Sequence, residues 1–294
     1  MRLTKSRFVT ALTCPTKLFY MADAVYANQS VEDSFLAALA EGGFQVGELA
    51  KQYFPGGINI ETLDVTKAVN LTSELLKNEN ITIFEAAIKY ENCFIRIDVL
   101  EKNGNLIKIH EVKAKSIDGN QSSQFLKRDG APNSIWKKYL YDVAFQKWVC
   151  SRALPGHLIA ANLMLADKSK RIAASGLNQK FRVQEVNGRK KVQVEGDILK
   201  VHLSPKILTS VNVDNICTGI FTSTDHGLRV EETFDQMVQR FSLACQHGKL
   251  IQSELGTHCG KCEFVCSNDN KLVGKQDGRS ECFKRVLGVD PTIL

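Results

Sequence analysis

The strongest constraint on the fold lies between residues 81 and 165. Phe94-Ile95-Arg96-Ile97-Asp98-Val99-Leu100 alternates with a period of two, and Lys102-Asn103-Gly104-Asn105 supplies a tight turn. Leu106-Ile107-Lys108-Ile109-His110-Glu111-Val112-Lys113 then returns as a second strand, while residues 81–88 read as an earlier one. Residues 135–150, with Trp136 and Trp148, have helical spacing, and residues 158–165 are strand-like again. A strand–helix–strand order of this kind predicts an α/β core with a central sheet flanked by helices.

Outside that core the pattern predicts a helix from Lys5 to Met21 and a second opened by a Ser30/Asp33 capping box and running to about Phe54, with Gly42-Gly43 as a break. A third spans about 64–77 with Ala68, Val69, Leu71, Leu75 and Leu76 toward its buried side, and a fourth spans about 231–247 through Phe234, Met237, Phe241 and Leu243. Residues 167–192 carry eight Lys or Arg against two acids and an Asn187-Gly188 turn, which reads as an exposed basic hairpin. The expected organisation is one domain over 1–294. Its parts are an N-terminal helical part (1–80), a catalytic α/β core (81–165), a basic hairpin and connector (166–230) and a C-terminal helix with a cysteine-rich segment (231–294).

Composition narrows the function classes. At 294 residues with 44% hydrophobic and 24% charged residues, the chain is an ordinary globular one, without the roughly 18 continuous apolar residues a membrane span requires. The basic N-terminus lacks the apolar h-region of a signal peptide, being interrupted by Thr10, Thr13, Pro15 and Lys17, so a cytoplasmic protein is expected, with no membrane partner. The net charge of +6 permits an anionic partner without requiring one. Nine cysteines, an odd number, argue against a disulfide framework.

Two constellations carry chemistry. Alternation puts Glu111 and Lys113 on one face with Val112 turned into the core, and the tight turn brings the Asp98 strand alongside. Asp98, Glu111 and the Val112 carbonyl form an all-oxygen donor set suited to Mg²⁺ or Mn²⁺, with Lys113 placed to orient a water or stabilise a phosphate. A cross-strand charge pair on an edge hairpin would give the same residues. The second constellation is Cys259-Gly260-Lys261-Cys262, whose spacing lets both thiolates reach one metal. Cys266 or Cys282 could add a third ligand and Cys14 a fourth, for zinc or an iron–sulfur cluster alike, with His258 as a further candidate for zinc. Cys93, Cys150, Cys217 and Cys245 are isolated and read as core residues.

The run Phe84-Glu85, Arg96-x-Asp98, Glu111-Val112-Lys113 resembles the PD-(D/E)XK nuclease superfamily in its RecB-like branch. Within it, the chain is similar to the CRISPR-associated RecB-like nucleases and to bacterial proteins carrying this domain at their N-terminus. The resemblance extends from Cys14-Pro15 to Cys282. It implies a restriction-endonuclease-like core with a mixed central sheet, closed by a metal cluster that joins the C-terminal segment to the N-terminus.

The implied activity is divalent-metal-dependent cleavage of DNA, as an exonuclease on single-stranded or end-containing DNA. Asp98 and Glu111 are the implied metal ligands and Lys113 the catalytic lysine. Glu85 is an assisting acid or a lysine's partner. Gln146, with Asp142, falls on the helix that carries a glutamine followed four residues later by a tyrosine; here that later residue is Cys150, so the signature is incomplete. Where these enzymes place a histidine ligand on an early helix, this chain has Phe44-Gln45-Val46-Gly47-Glu48, with Glu48 as the substitute or a solvated acid. The implied 4Fe-4S ligands are Cys14, Cys259, Cys262 and Cys282, with Cys266 as the alternative to the last.

The basic residues Lys168, Lys170, Arg171, Lys180, Arg182, Arg189, Lys190 and Lys191 would track a phosphate backbone, or else form a solvated hairpin. Lys127-Arg128 and Lys137-Lys138 add charge beyond the Lys113 strand. No segment has Walker spacing, so ATP-driven unwinding would need a helicase or another defence or repair partner. The competing class is an inactive nucleic-acid-binding module stabilised by a cluster or zinc. Leu287, Val289, Ile293 and Leu294, still apolar at the end of the sequence, are consistent with a longer chain that continues into a second domain.

Overall fold

The computed structural model describes residues 1–32, 34–119, 125–172, 175–186 and 190–288, with the side chains of 31–41, 200 and 272 left out. Asp33 of the expected capping box, the Asn187-Gly188 turn, Arg189, Val289, Ile293 and Leu294 lie outside the described residues. The helices are α1 Lys5–Thr13, α2 Lys17–Ala22, α3 Gln29–Glu32, α4 Ser34–Gln52, α5 Val65–Leu75, α6 Ser134–Ala153, α7 Lys200–Leu203, α8 Asp214–Thr222, α9 Phe234–His247, α10 Asn268–Leu272 and α11 Gly278–Leu287. The strands are β1 Leu3–Thr4, β2 Ile58–Asn59, β3 Asn80–Tyr90, β4 Cys93–Asn103, β5 Leu106–Ile117, β6 Leu158–Asp167, β7 Phe181–Glu185, β8 Lys190–Val194 and β9 Leu208–Asn212. The described residues form two compact units, one of residues 38–220 and one of residues 1–37 with 221–294.

The larger unit is an α/β fold with a mixed central sheet. Its strands run β2-β3-β4-β5-β6-β9. β3, β4 and β5 form an antiparallel meander, β5 and β6 are parallel, and β9 pairs antiparallel with β6. A parallel neighbour needs a crossover, and α6 supplies it. Ile107, Ile109, Leu163 and Leu165 are all buried. So are Leu140, Val143, Ala144 and Phe145 of α6, which packs on β3, β4 and β6. Met164 and Leu208 join Leu49, Ala50, Tyr53, Leu177 and Phe181 in a second core, with Val112 packed against it, so α4 and the β7–β8 hairpin cover the opposite face.

In the smaller unit, Phe8 of α1 meets Phe234 and Phe241 of α9 at ring separations of 5.7 and 6.1 Å. The Thr16 hydroxyl donates to the Ile251 carbonyl at 2.8 Å, and the Lys17 ammonium pairs with Glu263 at 2.5 Å. Gln29 donates to the Val265 carbonyl and to Asn270, and the Tyr26 hydroxyl donates to Glu281. Burial pushes the Tyr26 phenol up to about 12, the carboxylate partner adding to the effect.

Four local expectations are corrected. The Lys5–Met21 helix is two helices, because Cys14 is extended ahead of Pro15, whose ring disfavours a helical residue before it. Gly42-Gly43 do not break α4, which runs through them; the tertiary contacts of Leu49, Ala50 and Tyr53 outweigh a glycine's helix cost of about 1 kcal/mol. Leu71 is exposed at 48%, and Thr72 takes the buried position beside Ala68. Leu243 is likewise exposed on α9.

Thr72 joins helix to sheet. Its hydroxyl donates to the Ala68 carbonyl and accepts from the Ala87 N–H, both at 2.9 Å, in a fully buried setting. Thr72→Val keeps the shape but leaves the Ala87 N–H without this acceptor, so it should cost about 1–3 kcal/mol. Urea unfolding should give a lower midpoint at unchanged slope.

Candidate active site and cysteine cluster

The sheet opens where the acidic residues stand. β4 and β5 pair from Asn103↔Leu106 through Val99↔His110, and the ladder ends there. The next two residues of the register are Asp98 and Glu111. In place of a ladder bond, the Val112 N–H donates to the Asp98 carboxylate at 2.7 Å. β4 continues beside β3, while β5 continues beside β6. The β4–β5 ladder therefore ends with one carboxylate on each strand.

Glu111 is 1% exposed and anchors a polar network. Lys113 pairs with one Glu111 oxygen at 2.5 Å and with Asp142 at 3.1 Å. The Gln146 amide donates to the other Glu111 oxygen at 2.6 Å and to Asp142 at 3.1 Å. Two carboxylates on one NH₂ group fix its orientation and leave Gln146 Oε1 buried with no hydrogen-bond partner among the described residues. Asp142 and Gln146 reach one point because they stand four residues apart on α6.

Glu85 stands opposite Asp98 in the β3–β4 register, at the one position where that ladder lapses. Its φ is +56°, in the left-handed region that costs a non-glycine residue roughly 1 kcal/mol. Among the described residues no lysine pairs with it. Glu48 pairs with Lys51 at 3.2 Å and accepts from Gln52 on its own helix. Sequence reasoning passed over His110, which is buried and bridges Glu101 at 2.7 Å and Ser210 at 2.8 Å. That hydrogen bond is the main cause of the lowered Glu101 pKa. A histidine between Ile109 and Glu111, next to the acid already singled out, was the available signal.

In the smaller unit Cys14 is buried, while Cys259, Cys262 and Cys282 are half-buried. Burial raises the Cys282 thiol pKa, and the proximity of Cys14, Cys259 and Cys262 raises it further. Cys262 is raised by burial with a smaller contribution from Cys14. Cys266 is differently engaged: its thiol donates to the Lys275 carbonyl at 3.3 Å. Gly256 N–H donates to Cys259 Sγ at 3.4 Å, and His258 Nε2 lies 3.6 Å from that sulfur. Among the described residues no three His, Cys, Asp or Glu side chains converge closely enough to hold a metal ion. The four thiols share a neighbourhood without being gathered to ligand distance. At the sheet, the donor set counts only two carboxylates, its third oxygen belonging to the backbone.

No family model matches the chain, and comparison with curated proteins and with solved structures returns no match. Among the described residues no helix is long and apolar enough to cross a membrane.

The basic segment is hairpin β7–β8 and its approach, paired from Phe181↔Val194 to Glu185↔Lys190. Much of its charge is internally engaged. Lys170 donates to Thr209 and lies 3.5 Å from Asp167, Lys180 donates to the Asp197 carbonyl, Arg182 pairs with Glu195 at 2.9 Å, and Lys191 with Glu61 at 3.2 Å. Lys168, Arg171 and Lys190 are exposed.

Gln146→Leu tests the network. It removes two hydrogen bonds to charged acceptors, each worth about 1.5–3 kcal/mol, and also removes the orphaned Oε1. The expected net loss is about 2 kcal/mol in urea unfolding, with Gln146→Met behaving alike because it too lacks the donor.

Proposed function

We propose that this chain is a divalent-metal-dependent DNA nuclease with a restriction-endonuclease-like core, in the RecB-like branch of the PD-(D/E)XK superfamily. The observation that carries the reading is the end of the β4–β5 ladder at Asp98 and Glu111, with Lys113 seated on Glu111. Two carboxylates and the Val112 carbonyl make an all-oxygen donor set that fits Mg²⁺ or Mn²⁺, and they would hold it. When bound, such an ion lowers the pKa of a water and polarises the scissile phosphate.

The chain's own residues supply the rest. Gln146 holds Glu111 in orientation from behind. Lys113 has a second carboxylate in Asp142 at 3.1 Å, so its ammonium stays at the site when Glu111 serves another cation. From there it faces a phosphate as a fixed positive charge. The orphaned Gln146 Oε1 is a further acceptor for a water at the same point. A second reading, an inactive nucleic-acid-binding module, has one observation in its favour: Lys113 and Gln146 already engage both Glu111 oxygens.

Cleavage of end-labelled single- and double-stranded DNA separates the two. Activity should appear with Mg²⁺ or Mn²⁺ and vanish with chelator. Asp98→Asn and Glu111→Gln should each lower the rate by about 10²-fold or more, and Lys113→Met by a comparable factor with metal affinity largely kept. Metal-independent cleavage, or full activity in Glu111→Gln, would sink the nuclease reading. ATP-driven unwinding, where needed, falls to a helicase partner.

The same reading assigns Cys14, Cys259, Cys262 and Cys282 to a structural 4Fe-4S cluster, with zinc as the alternative occupant. The donor chemistry fits, because burial and neighbouring thiols hold back the ionisation of Cys262 and Cys282, and a bound cation relieves it. Cys266 fits less well, since a ligand must be a thiolate and this thiol is a hydrogen-bond donor. Anaerobically purified protein should be brown, with about four iron and four sulfide per chain. Cys282→Ala should lose them and Cys266→Ala keep them; the reverse result would reassign the fourth ligand, and colourless protein with one zinc would replace the cluster.

A further inference from the structure

Beside the acidic fork lies a feature that the proposed chemistry does not use. Past Lys113 the register of β5 on β6 shifts, and Lys113 and Lys115 both reach the ring of Tyr139 on α6, near Trp136 and Lys138. The ring of Tyr139 has three ammonium groups about it: Lys138 at 4.8 Å from the centroid, Lys115 at 5.5 Å and Lys113 at 6.0 Å. Lys115 also lies 4.8 Å over Trp136, whose ring is 6.0 Å from that of Tyr139.

These lysines differ in how their charge is met. Lys113 has Glu111 and Asp142. Lys115 and Lys138 have no carboxylate partner among the described residues. Trp136 is buried and structural, but Tyr139 and Lys115 are half-buried and Lys138 is exposed. A ring face attracts one cation; gathering three around one ring accumulates mutual repulsion that an anion between them would relieve. A half-open aromatic ring bordered by unmatched cations is the arrangement that receives a nucleotide, the base stacking on the ring and its phosphate meeting the ammonium groups. A base in a duplex has no free face to stack, so the partner is unpaired.

We propose that Tyr139, flanked by Lys115 and Lys138, seats one unpaired base of a single-stranded nucleic acid together with the adjoining phosphate, next to the Lys113 site. This rests on the nucleic-acid reading of that site and deepens it. It also separates substrate holding from the basic segment 168–191, where much of the charge is already paired.

The test is binding of a fluorescein-labelled oligothymidylate of about 12 nucleotides, followed by anisotropy without divalent ion so that no cleavage intervenes. Tyr139→Ala should weaken binding about tenfold, and Tyr139→Phe should restore it, because the ring and not the hydroxyl is required. Lys138→Gln and Lys115→Gln should each weaken binding and reduce the salt-dependence slope by about 0.7, the value for one phosphate contact on a single strand. Lys138 is exposed, so its variant reports even if Tyr139→Ala fails to fold. Affinity for a blunt duplex of the same length should change less in Tyr139→Ala than affinity for the single strand. Unchanged single-strand affinity in Tyr139→Ala and Lys138→Gln, loss in Tyr139→Phe equal to that in Tyr139→Ala, or no binding by the wild type would each overturn the proposal. Cleavage by the wild type with Mn²⁺ is read separately. Binding that depends on Tyr139 without any cleavage would overturn the nuclease reading and leave the nucleotide seat standing.

Discussion

The site depends on a hydrogen bond that replaces a strand pairing. Where β4 and β5 would take their next rung, the Asp98 carboxylate captures the Val112 N–H. A backbone donor inside a sheet must be satisfied, and a side chain that satisfies it lets the ladder end there. Past that end Glu111 turns toward α6, where Gln146, Asp142 and Lys113 meet it. On the other side Glu85 holds a left-handed backbone at the matching lapse in the β3–β4 ladder. Two irregularities of the sheet thus coincide with acidic residues, and sparsely populated backbone conformations persist where surrounding structure over-determines them.

Much of this was legible in the residues, for reasons that differ by element. β3 to β6 and α6 announce themselves because one face of each is packed and the alternation or helical spacing survives. Asp98, Glu111 and Lys113 stand out as polar residues in strands otherwise filled by Ile95, Ile97, Val99, Ile107 and Ile109. The elements that were misread turn on information beyond periodicity. Thr72 is buried in place of Leu71 because two backbone groups satisfy its hydroxyl, and no apolar pattern reports that. Gly42-Gly43 stay helical because packing further along α4 holds the helix. The role of Asp142 as the second partner of Lys113 needed the three-dimensional approach of α6 to β5, which spacing along one helix cannot supply. The same holds for His110, whose partners Glu101 and Ser210 come from two different strands.

The cysteines illustrate a different limit. Spacing identified Cys259 and Cys262 as a pair and left Cys266 and Cys282 equivalent. The structure distinguishes them by hydrogen-bonding sense: Cys266 gives its proton to the Lys275 carbonyl, whereas Cys282 sits in the electrostatic neighbourhood of the other three. That difference comes from α11, whose Asp277 cap also accepts from the Cys266 N–H and so holds the two cysteines to separate tasks.

The composition of the smaller unit bears on how the chain acquires its structure during synthesis. Residues 1–37 and 221–294 share one set of contacts, and the bonds that join them, from Thr16 to Ile251 and from Tyr26 to Glu281, link partners 235 and 255 positions apart. A chain leaving the ribosome therefore presents Phe8, Tyr20 and Tyr26 long before their partners exist. At ordinary elongation rates the interval is roughly ten seconds or more, long compared with the folding of a local hairpin. Residues 38–220 form a compact unit of their own and can settle in that time. Phe8 has to wait for Phe234 and Phe241, and Tyr26 for Glu281, which leaves these aromatic side chains open to chaperones and proteases for that interval.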